Sequence, residues 1–369
     1  MVVKRIAVIA ASLMLVLSMS ATVFASQDAS TPTIATSGSI VIEKNLKVKN
    51  PTLTSVDGPG ATFNYAIAPV APVAGNGGTT ITDAQNHTAT VHQGPANGVA
   101  LSAASITYPI GTAVDASDAG ADNIKNITAT ADVSKFSAPG IYRYEVSETF
   151  LSEHCEVVNN GNGTRYIDVY VENGESGLTI AGMVMHEGSI DSAHKKTFDN
   201  AEFETVNIEV KKQVTGNMAD KNHEFPFAMT VSDSDRYYYD GEGATAAAAT
   251  NKNTTAASSG TLKDGESFWL CGISKSGTVT ATETNNTADT YKTAVSGLAT
   301  VAQSDVAPNG TKPSGDVATS AGGQILFTNT LDSVSPTGVI MRFGPYVGMV
   351  LAAMAFAFIF RRTRKSNNA

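Results

Sequence analysis

Along most of this chain apolar and polar residues alternate in short runs, rich in Thr, Val, Tyr and Ile and bounded by Gly, Asn, Pro and Ser. Alternation of period two places every second side chain on one face of an extended strand. Helical periodicity is scarce, so the pattern predicts an all-β protein built as sandwiches rather than as a bundle. Two stretches, Gly75 to Thr80 and Gly243 to Gly260, have no apolar face to bury and read as loops. Both ends break the alternation. Lys4 and Arg5 precede an apolar run from Ile6 to about Leu17, followed by small residues up to Ala25, the layout of a secretory signal peptide over residues 1–25. At the other end Val339 to Phe360 is apolar for long enough to cross a bilayer as a helix, and Arg361, Arg362, Arg364 and Lys365 follow it. Basic residues after the span would hold the tail in the cytoplasm and everything before it outside.

Between these ends lie about 310 residues, which corresponds to two domains. The alternating runs repeat in the same order in each half. Ile40-Val41-Ile42-Glu43-Lys44 is echoed by Ile208-Glu209-Val210-Lys211-Lys212. The stretch Tyr142 to Thr149 is echoed by Thr278 to Thr284, and Thr197-Phe198-Asp199-Asn200 by Leu326-Phe327-Thr328-Asn329. The repeat divides the chain near residue 204 into homologous domains, 26–204 and 205–332, the first enlarged by loops, with a C-terminal segment over 333–369.

Period two also says which residues share a face. Ile40, Ile42, Lys44 and Leu46 fall together, as do Ile208, Val210, Lys212 and Val214. Tyr142, Tyr144, Val146 and Glu148 share a face, and so do Val279, Ala281 and Glu283. Phe198 aligns with Asn200, and Ile325 and Phe327 align with Asn329. Each domain therefore points one lysine, one glutamate and one asparagine at its own core. Burial disfavours the charged form of each ionisable group, lowering a lysine pKa and raising a glutamate pKa. A neutral amine is a nucleophile, and a neutral carboxyl group beside an amide can polarise the carbonyl and pass a proton to departing ammonia. The product would be a Lys–Asn isopeptide bond between first and last strands, in a reaction that consumes its own residues and so is not enzymatic turnover.

Composition narrows the partners. The formal net charge is −9. Cleavage at both ends would remove two positive charges from residues 1–25 and five from residues 338–369, taking it to −16. Such a surface repels nucleic acid and anionic membranes. Two cysteines, Cys155 and Cys271, stand far apart, so disulfides are not the staple of this extracellular chain. The six histidines show no metal-ligand spacing, and neither a phosphate loop nor a Ser/His/Asp arrangement is present, so no metal or cofactor is expected. Trp269 beside Phe268 reads as core or sheet edge.

Val334-Ser335-Pro336-Thr337-Gly338, set just ahead of the apolar span, resembles the sorting signals of Gram-positive wall proteins. In those signals a sortase cuts between Thr and Gly and passes the Thr carbonyl to an amine. Pro stands directly before Thr, as in the Val-Pro-Thr-Gly variants of some streptococcal pilins, with Ser335 in place of that Val. The whole chain between the ends resembles the two-domain backbone pilin of streptococci. The matching residues are Glu43-Lys44-Asn45-Leu46, Tyr142 to Thr149, Val210 to Val214, Leu262-Lys263-Asp264-Gly265-Glu266-Ser267, and Phe327-Thr328-Asn329. The resemblance implies two tandem immunoglobulin-like sandwiches of the pilin isopeptide or Cna-like kind. It implies one bond from Lys44 to Asn200 assisted by Glu148, and a second from Lys212 to Asn329 assisted by Glu283. It also implies an acceptor lysine near the end of the first domain, where Lys195 and Lys196 are the candidates. The implied partners are other copies of the chain, a class C or B type sortase, ancillary pilins and peptidoglycan. The implied location is the cell surface, with the precursor passing through the membrane. A wall-anchored or pilus-tip adhesin is the alternative, using the sorting signal once and no acceptor lysine.

Overall fold

The computed structural model of the chain describes residues 34–35, 38–83, 85–152, 163–188, 198–232, 238–249, 251–253, 257–333 and 336–366. Strands dominate. In the first half the principal ones are β1 (Ser39–Lys49), β2 (Ala61–Pro69), β3 (Ala121–Ala131), β4 (Gly140–Ser152), β5 (Thr164–Gly174) and β6 (Gly177–His186). In the second they are β7 (Ala201–Thr215), β8 (Phe225–Val231), β9 (Ser267–Ser274), β10 (Thr278–Thr284), β11 (Tyr291–Gly297) and β12 (Gly323–Thr330). The chain is all-β, with stacked sheets whose facing side chains alternate with outward ones.

One ten-stranded sheet runs through both halves. Its continuity rests on β7, whose first residues, Ala201 to Glu204, pair in parallel with Leu46 to Lys49 of β1. The same strand then pairs antiparallel with β9 from Thr205 onward and in parallel with β12 from Ile208. Residue 204, where the sequence repeat divides, thus lies inside one unbroken strand. Sheet β6-β5-β4-β2 closes the first core, and β8-β10 with the edge strand Ala257–Leu262 closes the second.

Two hydrophobic clusters result. The first gathers Ile40, Ile42, Leu46, Phe63, Tyr144, Val146, Ile167, Val169, Phe198 and Phe203, and the second Ile208, Val210, Val214, Phe225, Phe227, Ala281, Ile325 and Phe327. Between them a buried polar knot joins the halves. Asn50 Nδ2 donates to Thr205 Oγ1 at 2.9 Å and to Asn207 Oδ1 at 3.1 Å, and Asn207 Oδ1 also accepts from the Gly272 amide at 3.0 Å.

Part of the stretch Gly243 to Gly260, read from sequence as loop, is ordered as strand. Ala257–Leu262 pairs along β8, Phe225 opposite Leu262 and Thr230 opposite Ala257. Small side chains carry no face signal over Ala257 to Gly260, and the strand is set by its ladder with β8 together with Leu262, which is buried in the second core.

A helix, α1 (Pro336–Ser366), ends the described chain. Pro336 occupies its first position, where the missing amide hydrogen costs nothing. Tyr346, Phe356, Phe358 and Phe360 are exposed along it. Among the described residues no helix is long and apolar enough to cross a membrane, so the span over Val339–Phe360 is not shown by the structure. The signal peptide, Cys155, Lys195, Lys196, Val334 and Ser335 lie outside the described residues.

Candidate functional site

In the second half, period-two alternation along β7 turns Lys212 inward between Val210 and Val214, all three fully buried. On the facing sheet β10 turns Glu283 inward beside Ala281. Lys212 Nζ donates to Glu283 Oε2 at 2.7 Å, and neither side chain reaches solvent. The Phe225 ring lies 4.3 Å from Nζ, adding a cation–π contact on the apolar side. Desolvation outweighs the attraction of Glu283 and pulls the Lys212 pKa down from 10.5 to about 8.

Parallel pairing of β7 with β12 sets Val214 opposite Asn329 and Lys212 opposite Phe327, which brings the asparagine to the same end of the core. Asn329 is fully buried, and its Nδ2 donates to Glu283 Oε1 at 2.5 Å. Its Oδ1 accepts from Thr293 Oγ1 at 2.8 Å. One carboxyl group therefore contacts the lysine with one oxygen and the asparagine amide nitrogen with the other. The turn Lys263 to Glu266 fixes the backbone around Lys212: its amide donates to Glu266 O at 3.0 Å, its carbonyl accepts from Gly265 at 2.9 Å, and Asp264 Oδ1 accepts the Val214 amide at 2.7 Å.

The first half holds a related but different arrangement. Lys44 on β1 and Glu148 on β4 are buried and joined at 2.7 Å, with the Phe63 ring 4.4 Å from Nζ. Desolvation pushes the Lys44 pKa down and the Glu148 pKa up, so burial drives both members towards their neutral forms. Lys44 Nζ also donates to the Asp199 carbonyl at 2.7 Å, while the Asp199 side chain turns out to Arg165 at 3.3 Å. Asn200 is half-buried, and among the described residues its side chain makes no hydrogen bond to Lys44 or Glu148. Register is the reason. Leu46 pairs with Ala201, so Ala201 holds the place that Asn329 takes two residues on from Lys212 in the second half. The second oxygen of Glu148 is taken by the Tyr65 hydroxyl, which donates to it at 2.5 Å.

Of the residues singled out from sequence, Lys212, Glu283 and Asn329 are brought together, and Lys44 meets Glu148. Pro336, Thr337 and Gly338 open α1. Sequence alternation missed Thr293 and Tyr65, both on inward faces but without a partner that periodicity could name. It also missed a buried polar cluster. Arg143, between the inward Tyr142 and Tyr144, makes a bidentate pair with Asp168 at 2.7 Å to each oxygen, and His186 Nε2 lies 3.2 Å from Asp168 Oδ2. Period two would expose Arg143. The segment Ala71 to Gly78 covers that face instead, offering Asn76 Oδ1 at 3.2 Å and Gly78 O at 2.8 Å. Gly77, at φ 103°, has to be glycine: a Cβ there would come within 2.8 Å of the His186 ring. Burial alone would raise the Asp168 pKa, but the hydrogen bonds from Arg143 and His186 hold it below the usual range. Cys271 is a buried thiol whose pKa burial pushes up to about 12, an inert setting.

Fold and site thus define a sandwich protein whose cores each contain a buried Lys–Glu pair. Residues 206–331 match a family model described as a domain of unknown function, DUF7601. A curated protein named Pilin, from Streptococcus pyogenes serotype M1, is 28% identical over 266 residues, covering 68% of this chain and 75% of that protein. The solved major pilin of Streptococcus pyogenes aligns over 80% of this chain and 99% of its own, at 20% identity and a TM-score of 0.47. A pilus-presented adhesin aligns over 46% of this chain and 37% of its own, at 16% identity and a TM-score of 0.28. In sequence the chain is a homologue of a Gram-positive pilin.

Proposed function

We propose that this chain is a structural subunit of a cell-surface pilus, joined to further copies of itself by a sortase acting at Thr337 and locked internally by Lys–Asn isopeptide bonds. The single observation behind the internal lock is that Glu283 contacts both Lys212 and Asn329 in a fully buried site. Its homologue's name supports the pilus role.

The proposed chemistry balances within the three residues. Lys212 passes a proton to Glu283 and becomes a free amine, which attacks Cγ of Asn329. The new Nζ–Cγ bond forms as the Cγ–Nδ2 bond breaks. Of the two protons that leave Nζ, one departs with Nδ2 as ammonia and the other remains on Glu283. A low-dielectric surrounding favours the neutral amine and carboxyl over the ion pair, so burial supplies the activation. Lys44, Glu148 and Asn200 would form the corresponding bond in the first domain once the Asp199 to Ala201 segment turns Asn200 inward.

Two hydrophobic clusters, meeting within β7, support two domains over 26–204 and 205–332. The sorting segment over 333–369 would retain the precursor in the membrane through its apolar run until Thr337 is transferred to Lys195 or Lys196 of the next copy, or finally to peptidoglycan. Intact mass tests the internal bonds: the mature chain should weigh less by one ammonia for each bond formed, and an unshifted mass overturns them. High-mass ladders in wall extracts, lost when Lys195 and Lys196 are both changed to Arg, test polymerisation. A wall protein that never forms ladders would be the adhesin instead.

A further inference from the structure

Glu283 meets Asn329 through Nδ2 rather than through the carbonyl, so the carboxyl group does not polarise the carbonyl oxygen of Asn329. Attack at Cγ turns this oxygen from a carbonyl into a developing oxyanion, in a core where no water can solvate it. A hydrogen-bond donor already aimed at such an atom stabilises the transition state more than the ground state.

The structure supplies that donor. Antiparallel pairing of β11 with β12 sets Thr293 directly opposite Asn329, a cross-strand position that brings the two side chains together. Thr293 is 1% exposed, and its hydroxyl donates to Oδ1 at 2.8 Å. No other hydrogen bond to Oδ1 is found among the described residues. The contact has a second effect. With Oδ1 held by Thr293, the amide plane can only present Nδ2 to Glu283, the orientation in which the leaving group faces the group that protonates it. A flipped amide would set Oδ1 against the carboxylate. The first domain has no counterpart among the described residues: Ala201 stands where Asn329 does in the second, and the core hydroxyls go elsewhere, Tyr65 to Glu148, Tyr108 to the Lys44 and Asn123 carbonyls and Tyr144 to the Pro95 carbonyl.

We infer that Thr293 is a fourth catalytic residue of the second site, stabilising the oxyanion on Asn329 and fixing the amide so that nitrogen leaves towards Glu283. This rests on Lys212 and Asn329 being a cross-linking pair, and the test separates the two ideas. The full mature chain is synthesised in a cell-free reaction and quenched in denaturant at intervals. Digestion and mass spectrometry then follow the linked Lys212–Asn329 peptides. The variants are T293V, which keeps shape and removes the hydroxyl, and T293S, which keeps the hydroxyl.

Linking in T293V should be about 10²-fold slower than in the parent, the usual loss on removing one such donor, while T293S stays within a few-fold of the parent. T293V linking at the parent rate, or T293S as slow as T293V, overturns the role of Thr293 and leaves the cross-link standing. A parent chain that never forms the linked peptides overturns both. Circular dichroism of each variant in an E283A background checks folding without linkage. If T293V fails to fold, T293C keeps a side chain of similar size with only a weak donor and makes the same comparison.

Discussion

Glu283 holds Lys212 at 2.7 Å inside a core that neither side chain leaves. An ion pair so enclosed gains little over an apolar replacement unless it does something else, and its second oxygen is already committed to Asn329. E283A should abolish ammonia loss at this site, so that the shortfall of its intact mass against its own sequence is one ammonia smaller than the parent's. Closing the loop from 212 to 329 constrains the unfolded chain in the way a disulfide over about 100 residues does, roughly 4–5 kcal/mol. E283A should therefore melt well below the parent in calorimetry. Equal shortfalls in parent and variant would mean that Glu283 drives no linkage.

The acidity of Lys212 sets a pH dependence. The reacting pair needs the proton that stays behind on Glu283, and above about pH 8 Lys212 loses it. Linking rates in the timed synthesis should be level just below pH 8 and fall about tenfold per unit above it. A rate that climbs through pH 9 would mean that the free amine acts without the carboxyl proton. For the unlinked N329A chain the sign is opposite. Lys212 is about 8 when folded and 10.5 when unfolded, so the unfolded state binds more protons between these values and folding strengthens as pH rises through them. Denaturant midpoints of N329A should rise from pH 8 towards 9.5 relative to those of K212M/N329A.

Tyr65 donates to Glu148 from β2, opposite Glu148 in the β2–β4 register. Y65F leaves that carboxyl oxygen buried without its donor, at a cost of about 1–3 kcal/mol. The urea transition of the first domain should move down, while the mass loss at Lys212 and Asn329 is unaffected. Loss of the second-site bond in Y65F would show that the two cores are coupled.

Arg143 and Asp168 form a further enclosed pair. R143M strands a carboxylate in the core and should destabilise by about 3–5 kcal/mol, read as a fall in the urea midpoint at pH 7. The depressed Asp168 pKa means that its contribution is present above the unfolded carboxylate pKa of about 3.9 and is lost as pH falls through the lower folded value. The gap between R143M and parent should therefore close in acid.

Much of this was legible in the chain because period two is a strong rule wherever one face of a strand is dry. Lys212, Glu283 and Asn329 were readable as inward because an apolar residue, Val210, Ala281 or Phe327, precedes each at two-residue spacing. The same rule placed Asn200 with Phe198. The structure differs there because β7 begins only at Ala201, which rather than Asn200 takes up the ladder with Leu46. Arg143 was illegible for a related reason: both faces of β4 are covered at that point, so alternation carries no information. Thr293 could not have been chosen among so many threonines without the register that sets it opposite Asn329.

The unbroken strand β7 has a mechanical consequence. In the proposed fibre a pull would enter at Thr337 and leave near Lys195 or Lys196. With the proposed link in place, tension passes from Asn329 straight across to Lys212 and then back along β7 to Ala201. The 116 residues from 213 to 328 lie outside that line. At roughly 3.3–3.6 Å per extended residue they represent about 400 Å of slack that a stretched subunit never pays out. The second core could then vary in strength, even melt, without lengthening the fibre, and its stability would be set by folding alone and not by load.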